Sequence, residues 1–224
     1  NLISVKGVSK VFKVGEDNFT ALRDINLEID SGSFMSFVGP SGSGKTTILN
    51  LIGGLDVPTA GNIFFKNTKL SAMNRNQMAQ YRRKNIGFIF QTYNLFPVYS
   101  VYENILFPLL LNGSKEKDAH ERVMNIVNKV GLSGQVKKRP SQLSGGQCQR
   151  VAIARALVKD PLLILADEPT ANLDSKNSLQ ILELMSELNK QYKAAVVFST
   201  HDEKVTRYVR REVGLEDGKI ISDK

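Results

Sequence analysis

The sequence predicts an α/β fold: a mixed or parallel sheet carrying a glycine-rich loop, an antiparallel β subdomain before it and a helical insertion within it. Three observations predict this. Gly39-Pro-Ser-Gly-Ser-Gly-Lys-Thr46 reads G-x-x-x-x-G-K-[ST], between a short apolar run, Phe34–Val38, and a helix-like stretch, Thr46–Ile52, stopped by Gly53-Gly54. A second apolar run begins at Leu162 and ends in Asp167-Glu168, the pattern of a buried parallel strand delivering acids to its C-terminal edge. Residues 1–38 alternate apolar and polar, at Leu2, Ile3, Val5, Val8 and Val11 and again at Ile25, Leu27 and Ile29, which is antiparallel strand character.

The 39–46 stretch is a P-loop. Glycines let its backbone curl around a phosphate chain, and its amides form an anion nest at a helix N-terminus. Lys45 adds a point charge for the β- and γ-phosphates, and the Thr46 hydroxyl suits Mg²⁺. Upstream, Phe12 is a candidate for stacking on a base, with an ordinary strand aromatic as the alternative. Downstream come a turn at Asp56–Gly61, a strand at Asn62–Phe65, a polar helix at Asn76–Lys84 and a buried strand at Ile86–Phe90 ending at Gln91. Residues 92 to about 142 read as loop and helix, with an amphipathic stretch from Lys115 to Val130.

Leu143-Ser-Gly-Gly-Gln147 opens another helix, expected from Gln147 to about Lys159. Ser144 is placed as its N-cap, with Gln147 completing a capping box. Two glycines and a serine at a helix start make a second anion site, with a helix that simply packs in the core as the alternative. At the end of the 162–168 run, Asp167 suits Mg²⁺ held at a strand edge, and Glu168 suits a residue that orients or deprotonates water. An amphipathic helix is expected over Leu179–Leu188 and a buried strand over Ala194–Phe198. That strand leads to Ser199-Thr-His201-Asp202, where His201 suits contact with a γ-phosphate. Glu216-Asp-Gly218 reads as a hairpin turn.

The 224 residues are 42% apolar and 23% charged, ordinary values for a globular protein. No apolar run approaches the ~18 residues of a membrane span. The single cysteine, Cys148, excludes an internal disulfide framework and fits a reducing cytoplasm. A net charge of +8 suits nucleic acid, an anionic membrane surface or a solvated surface that also binds phosphates; scattered Lys and Arg favour the last.

Taken together, the P-loop, Gln91 after a strand, LSGGQ at 143–147, Asp167-Glu168, Ala171-Asn-Leu-Asp174 and His201 resemble the nucleotide-binding subunit of an ABC transporter along the whole chain. Gly54–Gly61, Ile86–Gln91 and Ala166–Ser175 are similar to the branch that includes the ATPases LolD, MacB and FtsE. The resemblance implies one ABC ATPase domain over 1–224. Its parts would be an antiparallel β layer at about 1–33, a P-loop NTPase core at about 34–91 and 143–224, and a helical subdomain at about 92–142.

It also implies ATP hydrolysis in a homodimer formed on ATP binding, with ATP sandwiched between one P-loop and the other chain's LSGGQ. Gly39 and Ser41, Gly42, Ser43, Gly44, Lys45, Thr46 and Thr47 would wrap the phosphates. Thr46, Gln91 and Asp167 would serve Mg²⁺, Glu168 would be the general base and His201 would hold the γ-phosphate. Ser144, Gly145, Gly146 and Gln147 would complete the partner's site, Asp174 would sit at the dimer seam, and Phe12 would stack on adenine. The implied partners are integral membrane permease subunits, contacted by the helical insertion, with no nucleic acid. The implied location is peripheral, at the cytoplasmic face of the cell membrane. Two features depart from common family patterns: Cys148 after LSGGQ, and Lys137–Gln142 where fused multidrug exporters carry acids. The competing expectation is a soluble ABC-type ATP switch on DNA or ribosomes.

Overall fold

The computed structural model describes residues 1–201 and 207–224, so Asp202 lies outside the described residues. The chain divides into two compact units, 1–82 with 195–224, and 83–194.

In the first unit, strands β1 (Ile3–Val14) and β2 (Asp17–Ile29) form a long antiparallel hairpin. Strands β4 (Ala60–Phe65) and β5 (Thr68–Lys69) extend it in the order β2-β1-β4-β5. The alternation predicts this, because Ile3, Val5, Ile25, Leu27 and Ile29 are all buried. A second sheet holds β3 (Phe34–Val38), β8 (Ala195–Thr200), β9 (Arg211–Glu216) and β10 (Lys219–Asp223) in the order β10-β9-β3-β8. Strand β3 runs parallel to both neighbours. Phe34, Phe37 and Phe198 are fully buried, as a strand covered on both faces requires. Helix α1 (Lys45–Ile52) follows the P-loop, and Tyr81 donates to the Ile52 carbonyl at its far end, 2.9 Å away. The β9–β10 turn carries Asp217 and Gly218 at φ 45° and 74°, the left-handed pair of the expected hairpin. The chain leaves this unit within α2 (Arg75–Asn85).

In the second unit, β6 (Ile86–Ile89) pairs in parallel with β7 (Leu163–Asp167). Helices α3 (Val101–Leu111), α4 (Glu116–Lys129), α5 (Gly145–Leu157) and α6 (Ser175–Tyr192) complete it. Helix α5 crosses β6 at Gly87, where a Cβ would lie 2.8 Å from the Ala156 carbonyl oxygen. Helix α3 tolerates Pro108 because a Ser100–Glu103 capping box and the burial of Val101, Ile105, Leu106 and Leu109 hold it.

Two helices differ from expectation. Helix α5 begins at Gly145, two residues early, because the Ser144 cap makes both glycines helical. Helix α6 spans 18 residues, capped by Asp174, with a polar first turn that apolar periodicity does not reveal.

Candidate functional site

The first unit builds the P-loop. Strand β3 ends at Val38, opposite Thr200 of β8, so Gly39 and His201 leave neighbouring strand ends. Gly39 has φ 155°, and a Cβ there would lie 2.0 Å from the Leu215 carbonyl oxygen of β9. Gly44 has φ 104°, and its Cβ would meet Leu22 and the Ala21 carbonyl at 2.7 and 2.8 Å. From behind, Gly218 N donates to Ser43 O (3.2 Å) and Arg23 N to Gly218 O (2.7 Å). The loop is thus wedged between β2 and the β9–β10 turn. Gly39→Ala should therefore cost about 1–3 kcal/mol, or several degrees in thermal midpoint, read by a melting curve.

The loop's interior fits an anion. Lys45 is buried, with its ammonium donating to the Gly39 and Pro40 carbonyls at 2.7 and 2.8 Å. The Ser43 hydroxyl is buried with no hydrogen-bond partner among the described residues. The Cβ position of Gly42 faces open space. Helix α1 opens with amides that no intrahelical carbonyl reaches. Thr46 and Thr47 stand on its first turn and Ser41 in the exposed loop. Phe12 stands apart on β1, 37% exposed, with Lys10 Nζ 4.8 Å from its ring centroid. Lys10 is itself fixed by Asp56 Oδ1 (2.7 Å) and the Val57 carbonyl (2.9 Å).

The second unit gathers the remaining residues. Ile89 of β6 is opposite Ala166 of β7, so Gln91 and Asp167 both leave the C-terminal edge of this pair. Glu168 follows at φ 46°, off the strand line. The Gln91 carbonyl accepts from Asn172 Nδ2 at 2.8 Å, which joins it to the 171–174 segment. Asp174 caps α6, accepting from Asn177 N (2.9 Å) and Asn177 Nδ2 (2.6 Å), and these bonds hold its carboxyl below the ordinary range.

The LSGGQ segment is capped from within. Ser144 Oγ accepts from Gln147 N (3.3 Å), and Ser144 N donates to Gln147 Oε1 (3.0 Å). The Gln147 side chain is thereby committed to the cap, while Ser144 and Gly145 stay exposed at the helix mouth. A Cβ on Gly145 would meet Tyr93 Oη at 3.0 Å, and one on Gly146 would meet Asn177 Oδ1 at 3.0 Å. Both glycines thus admit close neighbours from the Gln91 and Asp174 segments.

Sequence reasoning missed Arg155, whose guanidinium donates to the Tyr93 carbonyl (2.7 Å) and the Asn94 carbonyl (2.5 Å). Tyr93 and Asn94 have φ 62° and 46°, a left-handed pair that these bonds pin to α5. Burial lowers the Arg155 pKa to about 10, still charged at neutral pH. Asn172, Asn177 and Gln149 were also unassigned. Only the two asparagines carried a signal, their position in and just after Ala-Asn-Leu-Asp. Cys148 is buried behind the cap, and burial raises its thiol pKa.

A family model described as ABC transporter matches residues 22–171. The chain belongs to the ABC transporter ATP-binding family. The lipoprotein-releasing system ATP-binding protein LolD of Legionella pneumophila (strain Lens) is 41% identical, over 99% of this chain and 97% of that protein. An uncharacterized ABC transporter ATP-binding protein of Bacillus subtilis (strain 168), YvrO, is also 41% identical, over 99% and 96%. The solved dimeric structure of the ATP-binding cassette MJ0796 of Methanocaldococcus jannaschii, in a post-hydrolysis state with ADP and Pi, superposes with a TM-score of 0.91. It is 40% identical over 99% of this chain and 97% of that one. The ABC ATPase fold expected from the sequence is therefore the fold observed, and this ABC transporter subunit binds and hydrolyses ATP. The soluble-switch alternative is set aside by the same relatives. No helix among the described residues is long and apolar enough to cross a membrane.

Proposed function

We propose that the chain is one half of a head-to-tail homodimer that closes on ATP and passes that closure to integral membrane permease subunits. The complex serves lipoprotein, peptide or drug extrusion, or mechanotransmission. The chain lies peripherally at the cytoplasmic face of the cell membrane, held by the permease, with no nucleic-acid partner. The observation that carries the proposal is a division of labour. The P-loop is a formed phosphate nest in one unit, while in the other a capped LSGGQ presents Ser144 and Gly145 at an exposed helix mouth. Such a half-site suits the nucleotide of a second copy. The dimeric MJ0796 cassette and the LolD relatives support this reading.

In it, Ser41 to Thr47 wrap the phosphates, Lys45 neutralises their charge and Phe12 underlies the adenine. Thr46, Gln91 and Asp167 offer hydroxyl, amide and carboxylate oxygens, a hard donor set that fits Mg²⁺. When bound, Mg²⁺ supplies charge neutralisation at the phosphate oxygens. Glu168 accepts a proton from the water that attacks the γ-phosphorus, and the bond to the leaving ADP oxygen breaks. His201 holds the γ-phosphate in line, and Asp174 lies at the seam. The domain runs over 1–224, with a β layer at about 1–33, a core at about 34–91 and 143–224, and a helical part at about 92–142 that meets the permease.

The test is Ser144→Arg. ATP binding to the monomer should persist, while hydrolysis should fall about a hundredfold or more, because the arginine blocks the mouth that donates to the partner's phosphates. Nucleotide titration and steady-state hydrolysis read the two effects. A variant with normal turnover would overturn the shared-site reading. Purification from native membranes should also bring down an integral membrane protein in stoichiometric amount.

A further inference from the structure

We infer that Gln149 is a positioning residue for hydrolysis, linking the LSGGQ helix to the turn that bears Glu168. The inference rests on the reading of Glu168 as the general base. Gln149 is fully buried on α5, and its Nε2 donates to the Pro169 carbonyl at 2.7 Å. A carbonyl only accepts, so the amide nitrogen must face it and the orientation is determined.

Pro169 has no N–H, so its carbonyl is its only backbone hydrogen-bonding group. Glu168, just before it, stands at φ 46°. That conformation is disfavoured for a residue with a side chain, and the helical regions are further restricted before proline. Such a backbone persists only where its surroundings hold it. Here Ala171 N donates to Glu168 O at 3.2 Å, and Gln149 grips Pro169 O.

The other end of the amide is informative. Gln149 Oε1 is buried and has no hydrogen-bond partner among the described residues. An orphaned buried acceptor costs stability, and a methionine would fill a similar volume without it. Gln149 is therefore better explained by what its nitrogen holds than by stability.

Helix α5 links three parts of the candidate site. Its N-terminus carries Ser144 and Gly145, Arg155 pins Tyr93 and Asn94, and Gln149 holds the turn after Glu168. A shift of α5 when its mouth meets a second copy's nucleotide is thus transmitted, through one hydrogen bond, to this chain's own base. Each site then senses whether the other is filled.

The test is Gln149→Met in the full chain. We expect kcat to fall about tenfold to a hundredfold, as misplacement of a reacting group does, with KM for ATP unchanged; the thermal midpoint should move little, because the lost bond to Pro169 O is offset by removal of the orphaned Oε1. On a Glu168→Gln background the same substitution should cost little more, because the base it positions is already gone. Should the methionine variant fail to fold, Gln149→Leu, smaller and equally without a donor, takes its place; the same loss is expected. Wild-type kcat in a folded variant, or a full multiplicative loss on the Glu168→Gln background, overturns the inference while leaving Glu168 as base. Wild-type turnover in Glu168→Gln alone overturns the base reading and this inference with it.

Discussion

Glu168→Gln should bind ATP as the native chain does, hydrolyse it about a hundredfold to ten-thousandfold more slowly, and accumulate as a dimer in ATP and Mg²⁺. The change removes a proton acceptor and almost no volume, so the turn held by Ala171 N and Gln149 stays in place. In the proposed head-to-tail pair, opening follows only once the bond to the γ-phosphate is cut. Blocking that cut therefore converts nucleotide from a transient adhesive into a permanent one. Size-exclusion chromatography with and without ATP, beside a single-turnover assay, reads both effects. A variant that stays monomeric in saturating ATP and Mg²⁺ would sink the closed-pair model, and one that hydrolyses at the native rate would remove Glu168 from the chemistry.

Lys45→Ala is expected to weaken ATP binding by about 2 kcal/mol or more, roughly thirtyfold in affinity. The ammonium is buried and tied to the Gly39 and Pro40 carbonyls, so it is desolvated before nucleotide arrives. In the proposed site its charge would then act on the phosphates in a medium of low polarity. Deleting it also leaves both carbonyls without that donor, so the apo loop should loosen and the thermal midpoint drop. Calorimetric titration of ATP into both chains measures the first effect and a melt the second. Unchanged affinity would mean that the loop amides alone bind the phosphates.

Sequence and structure agree where the signal is local. Phe34–Val38 is a strand with the expected bounds, Ser144 and Gln147 form the expected capping box, and Asp217-Gly218 makes the expected turn. These features depend on a few adjacent residues whose conformational preferences are strong. The start of α5 was misjudged because glycines are poor helix formers, and the cap outweighs that preference. The start of α6 was missed because its first turn is exposed and polar, so apolar periodicity is silent there. The candidate site was legible as a set of motifs, and the structure shows which segments meet. Asn172 reaching the Gln91 carbonyl and Arg155 reaching Tyr93 and Asn94 are side-chain bonds to backbone. An arginine in a helix reads the same whether it faces water or a carbonyl 61 residues away.

The wedge behind the P-loop bears on when, during synthesis, the protein acquires its ligand. Strand β3 finds both of its sheet neighbours among residues 195–216, and Ser43 O waits for the amide of Gly218. Contacts so distant along the chain form late. A nascent polypeptide released before Gly218 would carry every residue of the motif, yet its loop would lack the hairpin that backs it. Retention on immobilised ATP would therefore report translation through Gly218 and separate chains that reach it from shorter ones.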